Sequence, residues 1–435
     1  MSIELIGVIV IICVLLLMFF RIPIAIAMAI PACLGIIYLK GWNTFLSAVD
    51  SIVWAQSYNY TLSTIPLFVL MGQILYSSGL SEELFLTFRN WFGKFKGGLG
   101  LATIGASAMF GATTGSSIAT TGTMGVIATK EMMKSGYSQS LTGGSIVAGG
   151  TLGILIPPST TFIVYGMLTE QSIGKLLMAG IIPGILLTLF FMLTIYIAVL
   201  VKPNLVNGTS EVSVSWKERF ISLKSNVWIL LLFVIVIGGI YLGIFNVTEA
   251  AGVGAFGAFL IGLIRRKLTK KNFLEAIIST IQTTGFLFAV ILAAFILNYL
   301  LTITRLPLLL ADALTSMNLS PLMIFIFIVI MYIILGAIMD TFGMMVVTIP
   351  ILLPIINAVG FDLIWFGVII VILIEMALIT PPVGMNCFVL KGVAPELKIE
   401  NIFKGSLLFI IPILALIILI YIFPDIALFL PDRTN

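Results

Sequence analysis

Of 435 residues, 60% are hydrophobic and 9% are charged, with a formal net charge of +4 and no histidine. A soluble domain carries about a quarter charged residues, so the chain reads as a polytopic integral membrane protein, and its positive excess belongs to loops and not to a nucleic-acid surface. Without histidine there is no imidazole base, metal ligand or proton relay, and Cys13, Cys33 and Cys387, all in apolar sequence without a CxxC motif, are assigned to packing.

The N-terminus, Met1-Ser-Ile-Glu-Leu-Ile, runs straight into an apolar segment with no basic run and no small-residue cleavage site, which predicts a first spanning helix. Stretches of about 20 apolar residues, the length needed to cross a bilayer, predict spans near 3–20, 22–39, 64–80, 140–167, 176–201, 227–245, 247–264, 280–303, 363–390 and 402–423. Segments 82–98 and 267–279 are amphipathic and are expected to lie in the interface. Two further regions, 99–136 and 320–357, are apolar but broken by polar or glycine-rich residues. Each is read as a helical hairpin that enters and leaves on one side, because irregular backbone at membrane depth must be satisfied by protein or a wet cavity.

Charge tests that assignment. With the N-terminus outside and each hairpin returning to its own side, Lys40, Lys175, Arg305 and Arg433 fall outside and the other eighteen of the 22 Lys and Arg fall inside. The first-half loop Gly41-Trp-Asn-Thr-Phe carries no charge, whereas its second-half counterpart, Arg265-Arg-Lys-Leu-Thr-Lys-Lys271, carries five. Five crossings per half is odd, so the second copy starts on the opposite side. The expected fold is all-α, with two inverted repeats of five crossings each plus two re-entrant hairpins. Residues 1–201 form the first repeat, 202–226 a polar linker and 227–435 the second repeat.

The hairpins carry a duplicated interruption about 224 residues apart. Gly111-Ala-Thr-Thr-Gly-Ser-Ser-Ile-Ala-Thr-Thr121 is followed by Pro157-Pro158, and Gly336-Ala-Ile-Met-Asp-Thr-Phe-Gly343 by Pro381-Pro382. Matched breaks in two halves of a membrane protein point to a transport site. A proline within a helix leaves carbonyls of the preceding turn without donors, so free carbonyls are expected from Gly153 to Ile156 and from Ala377 to Thr380. Such oxygens suit sodium. The hydroxyls of Thr113, Thr114, Ser116, Ser117, Thr120 and Thr121 line the first tip, where helix N-termini favour a substrate carboxylate.

Asp340 and Glu375 are the acidic residues placed well inside the membrane, where an ionisable group is a functional candidate. Asp340, aligned with Ser116, is a candidate cation ligand, direct or through a neighbouring group. Glu375 is read as a structural hydrogen-bonding group when protonated, with a proton site or a charge partner as alternatives. Glu249, in Val-Thr-Glu-Ala-Ala, reads as a first-turn acid on a helix.

The stretches Ile65-Pro-Leu-Phe-Val-Leu-Met-Gly-Gln, Gly111-Ala-Thr-Thr-Gly-Ser-Ser, Lys134-Ser-Gly-Tyr137, Gly153-Ile-Leu-Ile-Pro-Pro-Ser and Gly180-Ile-Ile-Pro-Gly184 resemble the large membrane subunit of TRAP transporters, the tripartite ATP-independent periplasmic type. The resemblance covers essentially the whole chain. It implies an elevator-type ion-transporter-like fold in the bacterial inner membrane with both termini periplasmic. It also implies sodium as coupling ion, a soluble periplasmic substrate-binding protein, and a small four-helix membrane subunit on a separate chain. By motif it places one sodium site at Gly111, Thr114, Ser116, Gly153, Ile156 and Pro157, and another at Gly336, Met339, Asp340, Thr341, Ala377, Thr380 and Val383. A carboxylate-bearing solute, of C4-dicarboxylate or sialic acid type, is expected between the tips near Ser117, Thr160, Thr161 and Asn386. The alternative is a self-sufficient sodium- or proton-coupled dicarboxylate carrier of the same superfamily. A membrane enzyme has little support, since the sequence holds no nucleophile elbow, phosphate loop or histidine metal motif.

Overall fold

The computed structural model describes residues 2–207, 214–317, 319–336 and 338–433. These form helices α1 (Ile3–Phe19), α2 (Ile24–Ser57), α3 (Thr64–Ser77), α4 (Leu80–Phe92), α5 (Gly98–Thr114), α6 (Ser117–Lys134), α7 (Gln139–Leu155), α8 (Thr160–Thr169) and α9 (Ile173–Val201) in the first half. The second half has α10 (Trp216–Tyr241), α11 (Val247–Ile264), α12 (Lys270–Thr304), α13 (Leu306–Ser316), α14 (Pro321–Leu335), α15 (Thr341–Val359), α16 (Leu363–Ile379), α17 (Met385–Val393), α18 (Ile399–Ile422) and the short α19 (Asp425–Leu428). Among the described residues, seven helices are long and apolar enough to cross a membrane, or up to nine when bent pairs count as single spans. The helices α1 and α16, each of 17 residues, are apolar but shorter.

The duplication is visible in the helix boundaries. Helix α6 starts at residue 117 and α15 at 341; α7 spans 139–155 and α16 spans 363–379. All three boundaries are displaced by 224 positions, the offset of the interruptions in sequence. The hairpins are α5–α6 and α14–α15. Each is followed by a broken pair, α7–α8 and α16–α17, whose Pro157-Pro158 and Pro381-Pro382 bonds are both cis.

Packing sorts the helices into two groups. Helices α1, α2, α3, α10, α11 and α12 pack on one another, with α3 against α11 and α2 against α12. Within this group Thr64 and Thr248 share a buried hydroxyl contact of 2.7 Å across the two halves. The other group is centred on α7, which packs against α5, α6, α9, α16 and α18. Its glycines permit that crowding. A Cβ at Gly153 would sit 2.9 Å from both the Ser116 carbonyl oxygen and Thr120 Oγ1, and one at Gly144 would strike the backbone of Gly405. The halves interlock here: α8 lies against the second hairpin arm α15, and α17 against the first hairpin arm α6.

Three features differ from the expected segments. Helix α2 does not stop near residue 39; it turns at Gly41, whose φ of +80° suits glycine, and continues to Ser57. Exposed Trp42, Trp54 and Tyr58 on this extension have the amphipathic character of membrane-interface residues. The amphipathic segment near 267–279 is instead continuous with the following span, as α12. Helix α10 starts at Trp216, within the expected 202–226 linker, because Ser215 and Glu218 form a capping box; it bends by 48° after Lys224. Residues 208–213 of that linker lie outside the described residues. Glu249 takes its expected place, completing a capping box with Asn246 at the start of α11.

Candidate functional site

The first hairpin closes directly on the first break. A Cβ at Gly111 would lie 2.5 Å from the Gly153 Cα, so α5 and α7 touch through two glycines. Helix α5 ends at Gly115, whose φ of +60° is left-handed, and its amide donates to the Gly111 carbonyl at 2.8 Å. Ser116 then caps α6, accepting from the Ala119 amide at 3.3 Å. Its carbonyl accepts from the Thr120 amide at 3.1 Å and from Thr120 Oγ1 at 2.8 Å. Thr114 Oγ1 lies 3.2 Å from Thr120 Oγ1 and donates to the Gly111 carbonyl at 3.4 Å. From the break, Thr160 Oγ1 donates to the Gly115 carbonyl at 3.1 Å. Gly111, Thr114, Ser116 and Gly153 are therefore brought together, with Thr160 joining them.

The second tip uses the same plan with different residues. Gly336 packs so tightly against Ala377 of α16 that a Cβ there would overlap the Ala377 side chain. Asp340 caps α15, accepting from the Gly343 amide at 2.9 Å. Ser116 and Asp340, aligned by sequence offset, thus share one local role. Met339 and Thr341 are buried beside the cap. Phe342 meets Phe286 of α12 at a ring-centroid distance of 6.4 Å. Thr380 turns its hydroxyl back to the Met376 carbonyl at 2.6 Å, and Val383 is half-buried in the turn beyond the break.

The expectation of free carbonyls needs correction. The Ile154 carbonyl accepts from Ser159 Oγ at 2.5 Å, because the same serine that caps α8 reaches back over the break. The Ala377 carbonyl accepts from the Thr380 amide at 3.3 Å, and the Ile379 carbonyl from Ser406 Oγ of α18 at 2.8 Å. Side chains placed after each break therefore satisfy part of what the prolines release, as membrane depth demands. Ile156 caps α7 in an extended conformation and packs against Gly184, next to Pro157.

Of the expected substrate contacts, Asn386 and Ser117 meet: Asn386 Nδ2 donates to Ser117 Oγ at 2.6 Å. The contact joins α17 of the second half to the first tip. Asn386 Oδ1 and the hydroxyls of Thr121 and Thr161 are buried without a hydrogen-bond partner among the described residues, a polar capacity that native interiors rarely leave unused. Glu375, fully buried on α16, faces the Leu155 backbone at the end of α7. Sequence reasoning missed the linkage of Tyr332 to Thr348, a hydroxyl pair that ties the arms of the second hairpin together. Their sixteen-residue separation in apolar sequence gives no signal by itself.

Chemically, the first tip offers carbonyl and hydroxyl oxygens and no sulfur or nitrogen ligand, a donor set suited to a hard cation. The second adds one carboxylate. Helix starts at Ser117, Thr160 and Thr341 present amide donors to the same region.

Residues 11–426 match the family described as "Tripartite ATP-independent periplasmic transporter, DctM component". The chain is 33% identical over 432 residues to the C4-dicarboxylate TRAP transporter large permease protein of Vibrio cholerae, covering 94% of each. It is 31% identical over 420 residues to the sialic acid TRAP transporter permease protein of Haemophilus influenzae, covering 96% of this chain and 67% of that one. Among solved structures it is similar in fold to MtrF of Neisseria gonorrhoeae, with a TM-score of 0.64 at 14% identity over 88% of this chain and 85% of that one.

Proposed function

The chain belongs to the DctM-component family of tripartite ATP-independent periplasmic transporters, and from that premise we propose that it works as the large permease subunit of a sodium-coupled importer of a carboxylate-bearing organic solute. The observation that carries the reading is the duplicated closure, in which a hairpin tip packs by glycine onto its own proline break in each half. Sodium, as co-substrate, would be held at the first tip by oxygens of Gly111, Thr114, Ser116 and Gly153, with Ile156 and Pro157 alongside. The second tip would use Gly336, Met339, Asp340 and Thr341 with Ala377, Thr380 and Val383. The substrate carboxylate would lie against the helix N-termini between them, near Ser117, Thr160, Thr161 and Asn386. Binding a cation beside this anion removes the charge cost of carrying either alone through a low-dielectric interior.

Movement would be of elevator type. The helices grouped on α7, which carry the first tip and both breaks, would shift as a body against the α2–α3–α11–α12 group. The bacterial inner membrane, periplasmic termini, a small separate membrane subunit and a soluble periplasmic binding protein complete the proposal. The names of the relatives, C4-dicarboxylate and sialic acid, support a carboxylate solute and leave its identity to the binding protein.

The test is reconstitution with the small subunit in liposomes. Uptake of labelled substrate is expected only with an inward sodium gradient and binding protein together. Uptake by this chain alone, indifferent to sodium, would sink the reading. The fully buried carboxyl group of Glu375 favours a second reading, a self-sufficient proton-coupled carrier. That reading requires uptake driven by a proton gradient without binding protein and lost in Glu375→Gln.

A further inference from the structure

A cavity of about 420 Å³ opens between the C-terminal end of α9, the start of α18 and the start of α7. It lies outside the tip-and-break region. One end carries Lys202 and Lys404, and the wall is formed by Ile197, Val201, Ile411 and Pro412. Both lysines are exposed, and neither makes an ion pair among the described residues. Glu400 stands one turn before Lys404 on α18 but does not line the cavity. Ile197, Val201 and Ile411 are also exposed, on helices of 29 and 24 residues that are long and apolar enough to span. Both lysines stand at the helix ends that the charge count assigns to the Lys- and Arg-rich face.

We propose that this cavity binds an anionic phospholipid, with its phosphate between Lys202 and Lys404 and an acyl chain along the groove between α9 and α18. Two unpaired cations at one rim call for a multiply hydrogen-bonding anion, and basic pockets between spanning helices on this face suit phosphate headgroups. The apolar wall excludes a small hydrophilic anion as the complete ligand, since those side chains would gain nothing from it. A tight crossing sets the floor: Gly405 of α18 sits directly on the backbone of Ser140, at the start of α7. The groove above therefore has a rigid base. Because α9 and α18 both pack on α7, the lipid would ride with the helices that carry the first tip and both breaks.

The experiment uses delipidated, purified full-length protein in neutral detergent. Thermal unfolding is followed while phosphatidylglycerol, phosphatidylcholine of the same chains, or soluble glycerol phosphate is titrated in. Phosphatidylglycerol should stabilise the wild type at concentrations about ten-fold lower than phosphatidylcholine. The double variant Lys202→Gln and Lys404→Gln should keep the unliganded melting temperature and lose that preference. A control, Lys391→Gln with Lys398→Gln, should retain it. Equal stabilisation by both lipids, an equal shift from glycerol phosphate alone, a preference that survives in the double variant, or its loss in the control would each overturn the assignment.

Discussion

The two hairpins begin their return arms at the same offset, yet their outgoing arms end differently. Helix α5 runs to Thr114, leaving only Gly115 and Ser116 before α6. Helix α14 stops at Leu335, so residues 336–340 intervene before α15. There the Gly336 and Met339 amides still donate to the Tyr332 and Leu335 carbonyls at 2.9 Å, and the tip places a carboxylate where the first has a hydroxyl. The breaks differ as well. Ser159 caps the first from within, whereas Gly384, at φ +48°, begins α17 with no side-chain cap and Ser406 of another helix serves the Ile379 carbonyl. A duplicated backbone has kept its turning points while the oxygens presented at each have diverged. Two non-identical ion environments from one plan are what that divergence would produce.

The largest effect should come from forcing tip and break apart. Gly153→Ala places a methyl 2.9 Å from the Ser116 carbonyl oxygen, and Gly336→Ala drives one into Ala377. Overpacking costs about 1–3 kcal/mol, so the sodium needed for half-maximal uptake should rise by roughly ten- to 100-fold in each variant, read from sodium titrations of liposome uptake. If only Gly153→Ala acts, the second half is not an ion environment and the parallel between the halves fails.

Next in size is Asp340. Asparagine keeps an oxygen to accept from the Gly343 amide, so Asp340→Asn should hold the unfolding free energy to within about 0.5 kcal/mol while removing the charge. Sodium half-saturation is expected to rise about ten-fold, on the scale of one charge-assisted contact. Asp340→Ser, which installs the first-half residue, should behave alike. An unchanged sodium curve would leave Asp340 as a helix cap and nothing more.

How much of this was legible beforehand follows from the range of each interaction. Hairpins expected at 99–136 and 320–357 lie within two residues of the helix pairs that start at 98 and 321 and end at 134 and 359, because glycine, proline and caps act locally. The extension 42–57 and helix α13 escaped, since short, half-polar interfacial helices leave no 20-residue apolar signature. Ser116 and Asp340 were aligned by offset, but their common capping role became visible only with backbone coordinates. The interlock of α8 with α15 and of α17 with α6 depends on contacts between helices at least 172 residues apart, which no local pattern encodes. Ser159 and Ser406 escaped for another reason: their hydroxyls take carbonyls only five and 27 residues away, but which carbonyl each reaches depends on the path of the backbone through the break.

A smaller effect is expected where the halves are not duplicated at all. Asn386 reaches Ser117 from the second half, while the residue 224 positions earlier is buried Phe162. Asn386→Ala removes one hydrogen bond within the membrane, about 0.6 kcal/mol on average and up to about 1.7. Melting temperature should fall slightly. If Asn386 also meets substrate, half-saturation for substrate should rise several-fold while the sodium curve stays fixed. A change in both together would make the contact a link between halves and not part of a substrate site.

The mildest test concerns α4, which joins the two packing groups: it lies against α10 on one side and α5 on the other. Glu83 near its start binds Arg265 at 2.7 Å and also Lys267, both in the loop before α12, while Arg89 near its end meets Glu131 of α6 at 3.0 Å. One end is therefore fastened to each group. Burial pushes the Glu83 carboxyl up, but the hydrogen bonds and charges of Lys267 and Arg265 outweigh it and hold it below its ordinary value. A depressed carboxyl contributes stability that is full above the usual glutamate pKa of about 4.3 and disappears as pH falls through the lower folded value. Glu83→Gln should thus lower stability by about 1 kcal/mol near neutral pH, less in high salt. It should also remove part of the fall in melting temperature on the acid side of pH 4.3. Arg89→Gln should cost no more than that, since its partner is half exposed. If α4 is a strap that must yield as one group moves, uptake should speed up or slow down in these variants by less than ten-fold while sodium and substrate half-saturation stay where they are; a shift in either half-saturation would tie α4 to the binding sites and not to the motion between the groups.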